Sequence, residues 1–469
     1  MSEPDISALD AALAATLPPG SIYAVGGRVR DEVRAGLDRV ARPAKDLDYV
    51  AVGLAIDDLV ERLGRIGKTD VVGAAFAVVK CTIGGVTVDV ALPRRERSTG
   101  AGHRDFVVEA GPEVPIDDDL ARRDFRMNML ARRLADGRLI DPHGGEADIR
   151  ARRIDLLRPE AFEEDPLRML RAAQFAARFE YEVTPRTLEA MRGAAPLAET
   201  ISPERVRDEL VKLLGAARPS IGFEVMREGE VLPHVFPEIA EGIGVKQNEY
   251  HRYDVYEHTL KTLDAAPEGD LVVRLAALLH DVAKPRTKDG GHFYGHESLG
   301  AELTRSILSR RRFSNEIVER VAGLVRNHMF SADPSITPAA KRRFVRRVGV
   351  ENLAEQFALR QADIVGSGLP KRDDSNERFE VEVRRLLAEK PPLSVKDLAV
   401  DGSDVIAAAV AAGILPEGSR GGLVVGSVLR ALLDRVIEDP KLNDREALLA
   451  ILPSAIRTWS EECSPGNKR

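Results

Sequence analysis

Asp46 and Asp48 stand two residues apart in the run Lys45-Asp46-Leu47-Asp48-Tyr49-Val50. On a strand, residues i and i+2 face the same way, so this spacing presents two carboxylates side by side. A cation relieves their repulsion, and Mg²⁺, which binds through one or two carboxylates plus phosphates, is the natural occupant. In Val86-Thr87-Val88-Asp89-Val90 the alternation turns Asp89 away from a valine face. It offers a third acid for that metal, or an ordinary solvent-facing strand residue. Gly26-Gly27-Arg28-Val29-Arg30-Asp31 closes a strand-like run where a helix would begin. Bare amides and arginines there suit a triphosphate, and equally a tight turn. In Arg122-Arg123-Asp124-Phe125-Arg126-Met127-Asn128, the arginine forks suit phosphate, while Asp124 and Asn128 suit ribose or phosphate hydrogen bonds. A second Asp-x-Asp, Asp117 and Asp119, reads as a solvated acidic turn.

Two further groups lie downstream. After Glu164-Asp165-Pro166, the residues Arg168, Arg171, Gln174 and Arg178 recur at helical spacing on one face. Asp165 before Pro166 has the form of a helix N-cap, which leaves Arg168 unaccounted for. Most of the nine histidines fall in the next stretch: His258, His280 beside Asp281, His292, His296 and His328. Histidines clustered with an aspartate suit a metal centre for phosphoester hydrolysis.

The elements that must position these groups change character along the chain. From Ser21 to about Ile140, short β-branched runs (22–25, 48–52, 76–79 and 86–90) alternate with helical stretches such as 57–63, an α/β or α+β pattern. After Pro159, helical spacing dominates, with Leu271 to Leu279 the clearest apolar helix. Breaks are expected at Gly366 to Lys371 and at Lys390-Pro391-Pro392, with a frayed tail from Ser460. The chain has 469 residues, 44% hydrophobic and 30% charged, with a formal net charge of −7. That suits about three globular modules and argues against indiscriminate nucleic-acid coating. Two cysteines, Cys81 and Cys463, suit a reducing compartment. With no signal-like N-terminus and no apolar span of about 20 residues, the expectation is a cytoplasmic protein without a membrane partner.

Taken together, Gly26-Gly27-x-Val29-Arg30-Asp31, Asp46-x-Asp48, Arg122-Arg123-Asp124-Phe125-x-x-Asn128 and Glu164-Asp165-x-x-Arg168 resemble the ordered motifs of class II tRNA nucleotidyltransferases. That family holds CCA-adding enzymes and bacterial poly(A) polymerases. The resemblance implies an α+β fold: a polymerase-β-like head (1–150), a helical neck (151–240), an HD-like body (241–370) and a helical tail that grips tRNA (371–469). It implies that Asp46 and Asp48 hold catalytic Mg²⁺, with Asp89 as a further candidate. Gly26, Gly27, Arg30, Arg123, Asp124 and Asn128 would bind the nucleotide. Asp165 and Arg168, with Arg171 on the same face, would read the base of CTP or ATP. Arg126, Met127 and Met129 depart from the usual Thr, Ile and Ala, and Gln174 from a frequent Arg.

The later stretch resembles the HD phosphohydrolase domain, with His258, His280, Asp281 and Asp363 at the matching ligand positions for a divalent metal. His296 and His328 would take a second ion or phosphate. In the family such domains are linked to phosphatase or 2′,3′-cyclic phosphodiesterase activity, which would heal damaged tRNA ends. Basic clusters at 150–153, 310–312 and 341–347 are candidate tRNA phosphate contacts. The expected activity is addition of CCA, or part of it, to tRNA. A poly(A) polymerase is the rival, disfavoured by Gly73-Ala74-Ala75-Phe76 where a basic segment would be expected; a CC-only or A-only adding enzyme stays open. A phosphohydrolase or RNA-binding protein with a silent head is the alternative from another class.

Overall fold

The computed structural model describes residues 5–38, 47–72, 78–98, 106–333, 335–370 and 373–462. Asp46 and the 73–76 segment lie outside them. The chain forms two compact units, 1–243 with 310–313, and 244–309 with 314–469.

In the first unit the strand-like runs form a mixed sheet. Its strands are β1 (Ile22–Val25), β2 (Asp48–Ala51), β3 (Lys68–Val72), β4 (Val78–Ile83) and β5 (Val86–Ala91); β6 (Arg94–Ser98) and β7 (Phe106–Ala110) form a separate hairpin; β8 (Ala131–Arg133) and β9 (Leu139–Ile140) complete it. The order is β3-β4-β5-β2-β1-β8-β9. β2 runs parallel to β5 and pairs Asp48 with Asp89, so register alone sets these two acids abreast. Val25 of β1, Val50 of β2 and Met129 pack together in one core. Met127 and Met129 are buried, and Arg126 makes a forked ion pair with Asp148 at 2.7 Å on each arm, so all three unusual residues have structural partners.

Beyond residue 159 the unit is helical apart from a strand at Glu182–Val183, which pairs with Arg153–Ile154. Helix Leu167–Phe179 is buried along most of its length and packs on helices Pro203–Leu214 and Ser220–Glu228.

Among the described residues, the regular elements of the second unit are helices. Helices Val255–Ala265, Leu271–Leu279 and Leu353–Gly366 pack on one another. Helix Ser375–Ala388 was expected with the tail, but Phe379 and Val383 share a core with Phe330, Phe344 and Phe357, so these aromatic faces carry the packing across the expected boundary at 370. A separate apolar core holds Gly402–Ala411, Leu423–Glu438 and Arg445–Glu462. Of the tail expected to fray from Ser460, residues 460–462 are helical and the rest lies outside the described residues. No helix among the described residues is long and apolar enough to cross a membrane.

Gly366 sets the closest of these approaches. A Cβ there would lie 2.7 Å from the Thr262 nitrogen and 2.8 Å from its Cα, so any side chain separates helices Val255–Ala265 and Leu353–Gly366. Gly366→Ala is expected to cost about 1–3 kcal/mol, read by urea denaturation.

Candidate functional sites

In the first unit, chemistry gathers where β1 enters helix Gly27–Asp38. Gly26 has φ +75°, a conformation that favours glycine, and a Cβ there would meet Arg123 Nη1 at 3.1 Å and Asp48 Oδ2 at 3.7 Å. Thus the glycine turn, the second acid of Asp46-x-Asp48 and an arginine of the Arg-Arg-Asp motif meet at one point. Asp89 stands next to Asp48 in register, but Lys80 Nζ lies 2.8 and 3.1 Å from its oxygens, a cation that competes with a metal. Carboxylate oxygens suit hard Mg²⁺, so the donors fit as far as they are described.

Asp119 corrects the expected solvated turn. It is fully buried and holds Arg122 at 2.8 Å and Arg123 at 3.1 Å. Burial alone would raise its carboxyl, but Arg123 and Arg122 bring it below the usual range. It fixes Arg123 toward the glycine turn.

Arg30, expected in the phosphate-binding segment, is held by protein partners. It is buried, donates to Asn128 Oδ1 at 2.8 Å and to both Asp31 oxygens at 2.9 Å, and lies over the Phe179 ring at 4.7 Å. Asn128 in turn donates to Asp124 at 2.8 Å, and Arg171 Nε donates to the same carboxylate at 2.7 Å. Asp124, Asn128, Arg30 and Arg171 therefore form one polar chain between head and neck. Beside it lies a cleft of about 360 Å³ lined by Gly27, Arg30, Gln174, Arg178 and Lys212. Gln174 leaves its buried Nε2 unpaired there.

Asp165 accepts the Leu167 amide at 3.2 Å, but the helix begins at Leu167, so Pro166 rather than Asp165 takes the N-cap position. The other Asp165 oxygen accepts from Arg205 at 2.8 Å. Arg168 donates to the carbonyls of Arg122 at 2.7 Å and Ala161 at 3.1 Å, and to Glu164 at 3.1 Å. The two face different protein partners rather than each other.

The basic clusters are largely neutralised within the chain. Arg150 pairs with Glu146, Arg153 with Asp148, Arg310 with Glu238, Lys341 with Glu382, Arg343 with Glu438 and Arg346 with Asp434. Arg342 is buried against the carbonyls of Ile437 and Glu438. Six basic side chains of these runs thus meet an acid of the chain itself, and Arg342 meets two helix-end carbonyls.

In the second unit, His258, His280, Asp281, His296 and His328 are buried together, with Asp363 beside them. His258 Nε2 lies 3.0 Å from His280 Nε2 and 3.2 Å from Asp363 Oδ1. Asp281 Oδ2 lies 3.1 Å from His280 Nε2, while its Oδ1 lies 3.5 Å from His296 Nε2 and 3.8 Å from His328 Nε2. Asp281 thus stands between two histidine pairs, one per oxygen. His296 and His328 each face the backbone through Nδ1, at 2.6 Å from the Phe293 and Val325 carbonyls, which fixes the proton there. Their Nε2 atoms then face each other at 3.2 Å, where a cation would relieve the opposed lone pairs. Both Asp281 oxygens lack hydrogen bonds, since Lys284 Nζ, 2.6 Å from Oδ2, lies off hydrogen-bond geometry. This donor set fits divalent metal. Burial opposes charge on Asp281, but His280 and Lys284 hold its carboxyl well below the usual range, and burial lowers His328 to about 3.

His251, edge-on to His258 at 4.7 Å, and Lys284 were not singled out from the sequence. The histidine density and the Asp281 to Lys284 helical spacing were the available signals.

Known proteins match in the same order. The family model for the poly A polymerase head domain matches residues 22–155, that for the probable RNA- and SrmB-binding site of polymerase A matches 180–243, and that for the HD domain matches 249–375. A multifunctional CCA protein of Nitrosococcus oceani is 38% identical over 365 residues, 75% of this chain and 86% of that protein. The chain belongs to the multifunctional CCA protein family. Another member, from Cupriavidus metallidurans, is 36% identical over 72% of this chain and 82% of its own length. The fold is that of solved CCA-adding enzymes. The Bacillus stearothermophilus enzyme in complex with CTP has TM-score 0.68 and 24% identity, covering 99% of this chain and 100% of that one. The Thermotoga maritima enzyme complexed with tRNA has TM-score 0.58 and 21% identity, covering 97% and 96%. Within this multifunctional CCA family member, Gly26 to Asn128 fall inside the head match and the histidine cluster inside the HD match, while Asp165 and Arg168 lie between matched segments.

Asp119→Asn tests the buried arginine anchor. A carboxyl depressed in the folded state contributes stability that is present above its unfolded pKa, about 3.9, and lost as pH falls through the folded value. Acid unfolding curves are expected to show wild-type stability dropping below about pH 4, with a shallower drop in the variant, which is also less stable at pH 7.

Proposed function

We propose that this chain adds C, C and A to the 3′ end of tRNA from CTP and ATP without a nucleic-acid template, and that its HD site hydrolyses phosphoesters left at damaged tRNA ends. The observation that carries the reading is the kinship with multifunctional CCA proteins across three quarters of the chain. The meeting of Asp48, Gly26 and Arg123 at one point supports it.

In this reading the tRNA 3′-hydroxyl oxygen attacks the nucleotide's α-phosphorus, the bond to the β-phosphate oxygen breaks, and pyrophosphate leaves while the hydroxyl proton passes to solvent. Asp46 and Asp48, with Asp89 next to Asp48 in register, would hold Mg²⁺, which would stabilise charge developing on the phosphate oxygens. Arg123 and the Gly26-Gly27 amides orient the triphosphate. Arg30, Asp124, Asn128 and Arg171 hold the head and neck in position. Asp165 and Arg168 exchange Arg205 and Glu164 for the base edge, an acceptor and a donor array that serve both cytosine and adenine.

At the HD site, His258, His280, Asp281 and Asp363 would hold a divalent ion, and His296 and His328 would take a second ion or the phosphate. A water oxygen adds to phosphorus, one phosphorus–ribose oxygen bond breaks, and the proton goes to the leaving oxygen.

The test uses purified protein and tRNA ending before CCA, after C, or after CC, each with single nucleotides. C is expected on the first two and A on the third; A added without end-dependence favours a poly(A) polymerase, and no incorporation refutes the transferase. Asp48→Ala is expected to lower addition about a thousandfold without affecting 2′,3′-cyclic phosphate hydrolysis. Asp281→Ala is expected to do the reverse.

A further inference from the structure

A cavity of about 530 Å³ opens beside the histidine cluster. It is lined by Asp281, His296, His328 and Asp363 with the cations Lys284 and Arg360. Tyr250, Tyr294 and Met329, exposed by 52, 75 and 56%, line it too. Large apolar side chains this exposed are few among the described residues, and three of them line this one cavity. Apolar surface held in water beside a buried polar site marks a ligand-binding rim.

The rim is ordered for a flat partner. The His292 ring stacks on Tyr294 with centroids 5.2 Å apart and planes 16° from parallel. A backbone bridge between Asp289 and His292 closes the turn that carries them, with Gly290 and Gly295 at φ +58° and +75°. Met329 directly follows His328, so the histidine cluster and the rim are joined through one peptide. A second observation is independent of the aromatic rings. Asn376, 4% exposed, lines the same cavity and leaves its amide oxygen unpaired, while its nitrogen faces Gln361 at 3.4 Å. An unpaired buried acceptor calls for a donor from a ligand.

We propose that this cavity recognises its substrate by the nucleobase: Tyr294, backed by His292, stacks the base, and the Asn376 oxygen accepts a hydrogen bond from an exocyclic amine such as that of cytosine or adenine. This rests on the reading of the HD site as a phosphoesterase and adds what selects the substrate. A phosphoester without a base gains nothing from the rim, and uracil, whose exocyclic group is a carbonyl oxygen, places acceptor against acceptor at Asn376. Lys284 and Arg360 supply positive charge for the phosphate.

The experiment uses the full chain with its head saturated by CTP and compares cytidine 2′,3′-cyclic phosphate, uridine 2′,3′-cyclic phosphate and ribose 2′,3′-cyclic phosphate, which lacks a base. Base stacking predicts that Tyr294→Ala raises KM for the cytidine substrate about tenfold with kcat unchanged, and leaves the base-free substrate unaffected. Tyr294→Phe should restore the KM, and Asn376→Leu should erase the preference for cytidine over uridine. Equal effects of Tyr294→Ala on all substrates, or none, would overturn the proposal. If the wild type hydrolyses none of them, the phosphoesterase reading fails by itself. Calorimetric binding of cytidine 2′-phosphate then decides the base site: a tenfold weakening by Tyr294→Ala supports it, and unchanged affinity overturns it.

Discussion

The Asp124 carboxylate, buried between head and neck, is the interaction on which the transferase half of the molecule depends. It accepts from its neighbouring amide at Phe125 and from Asn128 at 2.8 Å, and from Arg171 at 2.7 Å. Burial penalises its charge, yet Arg171 and these donors hold it below the usual carboxylate range. Removing one partner of such a pair strands the other charge in a poorly solvated place, a loss of about 3–5 kcal/mol. The chain continues through Asn128 to Arg30 and Asp31, while Arg30 and Arg34 lie over Phe179 at 4.7 and 3.9 Å. Cation–π contacts with desolvated arginines of this kind contribute about 2 kcal/mol or more. Charge and aromatic packing together fix the neck helix against the helix that starts at the glycine turn.

That fixation has a functional meaning. A protein that reads a base with side chains must keep them at a constant distance from the groups that hold the phosphates, because misplacement by about 1 Å costs roughly a hundredfold in rate. Arg168 reinforces the link by donating to the Arg122 carbonyl, next to the arginine at the glycine turn. The HD unit solves a different problem. Gly366 lets helix Leu353–Gly366, which carries Asp363, approach helix Val255–Ala265, which carries His258, and backbone carbonyls orient the rings of His280, His296 and His328.

Much of this was legible in the sequence, for physical reasons. Strand alternation placed Asp48 and Asp89 on β2 and β5, although the register that sets them abreast is a tertiary fact. Histidine density located the second centre, and β1, β2, β5 and the Leu271–Leu279 helix followed from apolar patterning, whereas β3 and β6 to β9 did not. What patterning missed were buried charges. Asp119 and Asp117 look alike as letters, yet only Asp119 is enclosed by two arginines. The arginines after the glycine pair, Arg28 and Arg30, were read as suiting a triphosphate, yet both, with Arg34, are buried against acids or rings. The basic runs at 310–312 and 341–347 suggested a phosphate track because local sequence does not show that acids distant in the chain already face them. The same blindness placed helix Ser375–Ala388 with the tail, since its shared aromatic core is visible only in three dimensions.

The most direct test of the central claim, that the buried Asp124 network positions the neck for nucleotide selection, is steady-state addition by Asp124→Asn. This substitution keeps shape and removes charge. With CTP and ATP measured separately on matched tRNA ends, the account predicts a fall in kcat/KM of about tenfold to a hundredfold for both, with HD-site hydrolysis unchanged. Values for both nucleotides within twofold of the wild type would contradict it.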